Sequence, residues 1–247
     1  MAEKLKLGVY WAASCGGCEI AILEIAEKLL DLTEAADILF CPCIMDFKYD
    51  DVKAMDDGHI DVCLFNGGIR NAENQEIAEL LRKKSKVLVA YGSCSSEGGV
   101  AALGNLFDCQ GIFERAYLTS ESTDNPEGVI PGPGNSVPEG EIHLPALFRT
   151  NKKLSDVVAV DYVMPGCPPT EKQTWAVVSL VAQGYAKAGG VIEAVQQGLL
   201  PAPPAVVGAG TKSVCDECER ERRGVKIAKF RRPHDHVPED GWCLLEQ

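Results

Sequence analysis

Four cysteines carry the most informative chemistry in this sequence: Cys15 and Cys18, separated by Gly16 and Gly17, and the single residues Cys94 and Cys167. Four thiolates close one iron–sulfur cluster of the 4Fe–4S kind or one tetrahedral zinc site. A thioredoxin-like redox site would need only the CxxC pair, and here two more cysteines accompany it. Zinc ligands usually come as two close pairs, whereas this set is one pair and two distant singles. A flavodoxin-type phosphate loop would have to occupy the same turn as Cys15–Cys18. Gly16 and Gly17 permit unusual backbone angles and a close approach of N–H groups to an anionic centre. Cys18 opens a predicted helix, where the N-terminus favours thiolate charge. The pattern favours iron–sulfur over zinc and leaves both open. Gly16, Gly17 and Ser93 are the candidate backbone donors to cluster sulfur.

A second set lies near the end of the chain, Cys215-Asp216-Glu217-Cys218 and then Cys243. Three thiols are one ligand short. His234 and His236 stand between them and read first as surface residues; the fourth ligand is expected from one of them or from beyond Gln247. Cys41, Cys43, Cys63 and Cys109 fall in or near apolar runs and read as buried structural thiols. Glu19 follows a ligand and reads first as a first-turn carboxylate favoured by the helix dipole, ahead of a proton-transfer role. No catalytic residue emerges. The four histidines form no pattern with a serine or cysteine that compels a triad, and neither a phosphate loop nor a dinucleotide fingerprint is present. Cluster ligands without substrate chemistry point to an electron carrier.

The elements that must position these thiols alternate. Lys6–Trp11, Ala36–Cys41, Ile60–Phe65, Lys86–Tyr91 and Val157–Met164 are strand-like apolar runs. Glu19–Leu32, Asn74–Lys83 and Thr170–Ala188 have helical periodicity. Such alternation implies crossovers, a parallel sheet and an α/β fold with helices on both faces. Three strands deliver Cys15, Cys94 and Cys167 just past their carboxyl ends, where open α/β sheets bind ligands. Residues 120–145 are too rich in Gly, Pro, Ser and Glu for an ordinary connection and read as a solvated insertion or a partner-facing loop. The predicted division is 1–198, holding the main site, and 199–247, a small irregular cysteine-containing segment that opens on a proline-rich linker and needs a metal for want of a core.

Composition narrows the setting. With 247 residues, 46% apolar and 24% charged, the chain can bury a core without disulfide staples. Its net charge of −12 argues against nucleic acid as a partner. An odd total of 11 cysteines, no signal peptide and no membrane-length apolar run place the chain in a reducing cytoplasm.

Cys15-Gly16-Gly17-Cys18-Glu19, Gly92-Ser93-Cys94 and Pro165-Gly166-Cys167-Pro168-Pro169, in this order, resemble the small subunit of nickel–iron hydrogenases. The nearer likeness is to the cytoplasmic methyl-viologen-reducing type associated with heterodisulfide reductase. The resemblance covers the whole chain, including Cys215–Cys218 and the Arg232-Pro233-His234 region. It implies a flavodoxin-like, doubly wound sheet holding a proximal 4Fe–4S cluster on Cys15, Cys18, Cys94 and Cys167. It further implies a nickel–iron large subunit as partner and an iron–sulfur or flavin subunit, such as a heterodisulfide-reductase-type complex, as electron acceptor. The related quinone-reductase subunit carries adjacent cysteines at the first motif, unlike the two intervening glycines here. Relatives of this type carry further cysteines past the position of Cys243. The competing readings are a relay subunit of a hydrogenase-like or quinone-reductase-like complex without nickel–iron chemistry, and a zinc-stabilised scaffold.

Overall fold

The apolar runs of the first two-thirds of the chain fold as parallel strands. The structure is a computed structural model and describes residues 3–210, 212–224, 241–243 and 246. It separates into two units, Met1–Ala209 and Gly210–Gln247. The strands of the first unit are β1 (Leu5–Trp11), β2 (Ala36–Phe40), β3 (Ile60–Asn66), β4 (Ile69–Asn71), β5 (Ser85–Tyr91), β6 (Gly134–Val137), β7 (Gly140–His143), β8 (Leu147–Lys152), β9 (Tyr162–Met164) and β10 (Ala205–Val206). The main sheet has the order β10-β9-β5-β3-β1-β2, and every neighbouring pair is parallel. The chain steps from β1 to β2, crosses back to β3 and continues outward. This is the doubly wound, flavodoxin-like order that the alternation predicts, with its reversal between β1 and β3.

The helices are α1 (Gly17–Leu23), α2 (Lys28–Ala35), α3 (Tyr49–Ala54), α4 (Ala72–Lys84), α5 (Ser93–Ser96), α6 (Cys109–Phe113), α7 (Glu171–Ala188) and α8 (Val191–Gln196) in the first unit, and α9 (Val214–Glu217) in the second. Alternate strand residues face opposite sides of the sheet. Leu7, Val9 and Val89 pack with Ile22, Val178 and Val191 on one side. Tyr10, Phe65 and Leu88 pack with Val52, Ile77 and Leu81 on the other. Covering on both faces explains why these strands read as continuous apolar runs. Helix ends follow local chemistry. Asn71 caps α4 by accepting from the Asn74 N–H at 2.8 Å, and Arg82, Lys83 and Lys84 crowd its last turn, where the dipole favours cations. Thr170 and Gln173 form a capping box that starts α7, and Gly189, at φ 78°, ends it.

Three sequence expectations change. The single helix over 19–32 is two helices, because Ala26 adopts φ 55° and breaks the run between α1 and α2. The strand expected over 157–164 shrinks to Tyr162–Met164, because the Asp161 carboxylate accepts from the Leu88 N–H at 2.7 Å and pairs with Arg82 at 2.5 Å. Residues 120–145 include the exposed β6–β7 hairpin. The proline-rich stretch at 201–204 leads straight into β10, which extends the main sheet beside β9. Among the described residues no helix is long and apolar enough to cross a membrane.

Leu88 is fully enclosed in the second core. Leu88→Ala should cost about 2–5 kcal/mol, read as a lower urea midpoint at unchanged m-value. Leu30→Ala, at an exposed site on α2, should stay within about 0.5 kcal/mol.

Candidate metal centre

The ladders do not stop where the strands end. Past β1 and β3, the Ala12 N–H donates to the Asn66 carbonyl at 2.8 Å, and beyond it Ala13 and Gly68 form an antiparallel bridge with bonds of 3.1 and 2.9 Å. Past β5 and β9, the Gly92 N–H donates to the Met164 carbonyl at 2.8 Å and the Ser93 N–H to the Gly166 carbonyl at 2.7 Å. The loop with Cys15 and Cys18 is thus pinned to the exit of β3, and the turn with Cys94 to the loop with Cys167. The Ser93 N–H is engaged within the protein. The Gly16 N–H donates to Ser14 Oγ at 3.4 Å.

The four cysteines lie near enough for the charges of Cys15, Cys94 and Cys167 to act on Cys18. Cys18 and Cys94 are buried, Cys15 and Cys167 exposed. Burial pushes the Cys18 thiol up to about 12, and the neighbouring charges of Glu19, Cys94, Cys15 and Cys167 push the same way. Cys94 is raised first by burial, then by Cys15 and Cys167. Glycines wall the space between them. A methyl on Gly92, at φ 85°, would lie 2.3 Å from Cys18 Sγ, and one on Gly99, at φ 53°, 2.9 Å from Cys94 Sγ. Gly166, at φ 142°, passes so close to Pro169 that a methyl would fall 2.6 Å from its backbone. Four soft donors around glycine-walled space match the donor set of a thiolate-bound cluster. Among the described residues, no three His, Cys, Asp or Glu side chains converge as a single metal ion would require.

Beneath the thiols lies a buried polar group that sequence reasoning misses. Asn66, the last residue of β3, donates through Nδ2 to both carboxylate oxygens of Glu19 and to Ser14 Oγ, each at 2.8 Å. Glu19 and Asn66 are both buried. The amide orientation follows from this network, since its carbonyl oxygen would repel a carboxylate. Burial raises the Glu19 carboxyl, and the bond from Asn66 draws it back. Asn66 Oδ1 has no protein partner and lies 3.5 Å from where a Gly92 methyl would be. In the sequence, Asn66-Gly67-Gly68 reads only as a turn. The usable signal is its place at a strand's carboxyl end, level with the cysteine loops.

In the second unit Cys215 lies in α9 and Cys218 just after it, both exposed, and Cys243 is half-buried. A bridge between Glu221 and Trp242 brings Cys243 alongside the preceding arginines. The Arg222 guanidinium is raised by the Cys215 thiol, which it bonds, and by Cys243. His234 and His236 lie outside the described residues. Of the four thiols expected to be buried, Cys41 and Cys63 are, Cys109 is partly so, and Cys43 is exposed.

Comparison with known proteins decides the family. Residues 15–181 match the family model of the NADH ubiquinone oxidoreductase 20 Kd subunit. The chain is 38% identical to the iron-sulfur subunit of an F420-non-reducing hydrogenase from Archaeoglobus profundus, over 98% of this chain and 73% of that one. It is 36% identical to an F420-non-reducing hydrogenase subunit from Methanothermobacter marburgensis, over the whole of this chain and 70% of that one. The chain belongs to the hydrogenase small-subunit family. Its fold agrees with this: a chain of an NAD+-reducing [NiFe]-hydrogenase in the H2-reduced state superposes with TM-score 0.61 at 28% identity, over 74% of this chain and 93% of that one. As a hydrogenase small subunit the chain is part of an oxidoreductase. The matched family region begins at Cys15 itself and contains Cys18, Cys94 and Cys167.

Two outcomes follow from the site. Gly92→Ala forces a methyl onto Cys18 Sγ at a strained angle, so the variant should lose about 1–3 kcal/mol. Its Cys18, protected in the native metal-free chain, should become open to alkylation, as read by peptide mass spectrometry. Glu19 binds its proton more tightly folded than unfolded. Its contribution to stability is therefore full below the ordinary carboxylate pKa and is lost as pH rises through the raised folded value. Glu19→Gln should gain stability relative to the parent as pH rises, measured by denaturant midpoints on the metal-free protein.

Proposed function

We propose that this chain is the electron-relay small subunit of a nickel–iron hydrogenase and holds a 4Fe–4S cluster on Cys15, Cys18, Cys94 and Cys167. The reading is supported by four cysteines placed past three strand ends at one sheet edge, near enough to act on one another's charge and beside glycines whose Cβ would crowd Cys18 and Cys94. When bound, such a cluster takes up and gives back single electrons. The chain's own part is to hold it, limit its exposure and set its potential through hydrogen bonds and net charge. Cys18 and Cys94 form the buried side; Cys15 and Cys167 form the side open to a partner.

That partner is a large subunit carrying the nickel–iron site. Support comes from apolar side chains left exposed near the ligands in sequence: Trp11 and Ile20 flank the first motif, and Leu103, Leu106 and Phe107 follow Cys94. Exposed apolar residues in such groups mark protein interfaces. The acceptor downstream is an iron–sulfur or flavin subunit of the heterodisulfide-reductase type, in keeping with the likeness to subunits of F420-non-reducing hydrogenases. The compartment is the cytoplasm, where cysteine-rich chains keep their thiols for metals. Cys215, Cys218 and Cys243 contribute to a second cluster in the Gly210–Gln247 unit.

Anaerobic purification with iron and sulfide analysis tests the reading. At least about four irons per chain with matching sulfide is expected; zinc without sulfide overturns it. Cys94→Ala and Cys167→Ala should each abolish or alter the paramagnetic signal of the reduced cluster. An unchanged signal in both removes them from the ligand set.

A further inference from the structure

Cys41 and Cys43 are not among the ligands named above, and the fold brings them together. Cys41 follows the last residue of β2, so it leaves the sheet at the same carboxyl edge as the cluster motifs. There the chain turns at once. The Cys41 carbonyl accepts from the Ile44 N–H at 3.0 Å and the Met45 N–H at 3.1 Å. Pro42 occupies the second position of this turn, where its fixed φ is pre-set for the bend. The result is a sulfur–sulfur distance of 3.6 Å between Cys41 and Cys43.

The two thiols differ in a way that assigns them roles. Cys41 is 1% exposed and packed in the core that contains Ile22 and Leu32. Cys43 is open to solvent. Burial pushes Cys41 up to about 12, and its contact with Cys43 raises it further, while the same contact lowers Cys43. Either sulfur can donate to the other, but only Cys43 is exposed to an approaching disulfide. The Glu19 carboxylate raises both.

We propose that Cys41-Pro42-Cys43 is a dithiol site that reacts with low-molecular-weight disulfides. The Cys43 thiolate attacks one sulfur of the small disulfide, forming a mixed disulfide and releasing one thiolate. Cys41 then gives up its proton and attacks Cys43 Sγ. The mixed disulfide breaks, a second small thiol leaves, and a Cys41–Cys43 bond closes. The protein dithiol is oxidised by two electrons, the small disulfide is reduced to two thiols, and protons balance between them. The exposed sulfur makes first contact, and the buried one, already in place, resolves it. Because both thiols are held mostly protonated, the exchange is slow at neutral pH and quickens as pH rises.

The test uses the full chain, purified anaerobically with its metal content intact, and oxidised glutathione as the probe. After alkylation and digestion, the peptide holding Cys41 and Cys43 should be lighter by two hydrogens and free of alkyl label, and dithiothreitol should reverse this. Iron content should not change, since neither residue is a cluster ligand. In Cys41→Ala the glutathione adduct should accumulate on Cys43, because nothing resolves it. In Cys43→Ser, a change at an exposed position, Cys41 should remain unmodified. The proposal falls if the parent chain shows no bridged peptide under conditions that oxidise an unfolded control peptide of the same sequence. It falls equally if Cys43→Ser takes up glutathione on Cys41 as fast as the parent reacts.

Discussion

Parallel hydrogen bonding that outlasts the strands is the constraint on which this structure turns. In an isolated loop, each residue fixed costs roughly 1–2 kcal/mol of backbone entropy, and a site assembled from three loops would carry that cost three times over. Here the loops inherit their order from the sheet. The bonds from Ala12 to Asn66, from Gly92 to Met164 and from Ser93 to Gly166 continue the ladders past the last strand residues. Cys15, Cys94 and Cys167 therefore each follow within four residues of the end of a strand of the main sheet. The two apolar cores, one on each face, hold the sheet that does the positioning.

Against that order stands an electrostatic burden. Two buried thiols and a buried carboxylate crowd one place, and removing anions from water is costly unless they are paired or hydrogen-bonded. The response is visible in the direction of each shift: Cys18, Cys94 and Glu19 all hold their protons more firmly than in water. Asn66 offsets part of the burden for Glu19 by donating to both its oxygens. Binding an electron-rich group here means exchanging those thiol protons for metal, so uptake of the group and release of protons are linked.

Much of this is legible in the residues. The strands Lys86–Tyr91 and Ile60–Phe65 are placed to within a residue because burial on both faces keeps them apolar apart from Lys86 and Asp61, which pair with each other near the strand starts. The α7 boundaries follow from Thr170 and Gly189, whose capping chemistry is local. What escapes is decided by tertiary context. Nothing local announces that Ala26 will take a left-handed angle, or that Asp161 will spend its carboxylate on Leu88 and Arg82 instead of starting a strand. Asn66 is hidden for a related reason. Its importance comes from Glu19, which lies 47 residues away and meets it only when β1 and β3 pair. The exposure of Cys43 is likewise invisible, because composition says that cysteines are usually buried but not which side of a tight turn they leave on.

The strand order has a consequence of scale. β3 sends no cysteine to the edge and sits between β1, which leads to Cys15 and Cys18, and β5, which leads to Cys94; β9, next in line, leads to Cys167. Neighbouring strands lie about 4.8 Å apart, so the skipped strand sets the two sides of the site roughly 10 Å apart at their roots, with the third beside the second. The sheet works as a ruler whose divisions cannot be altered by lengthening a loop. A cluster several atoms across, as proposed for these thiols, would suit such a spacing better than a lone ion. The size of the guest is thus written into the topology, one level above the side chains that grip it.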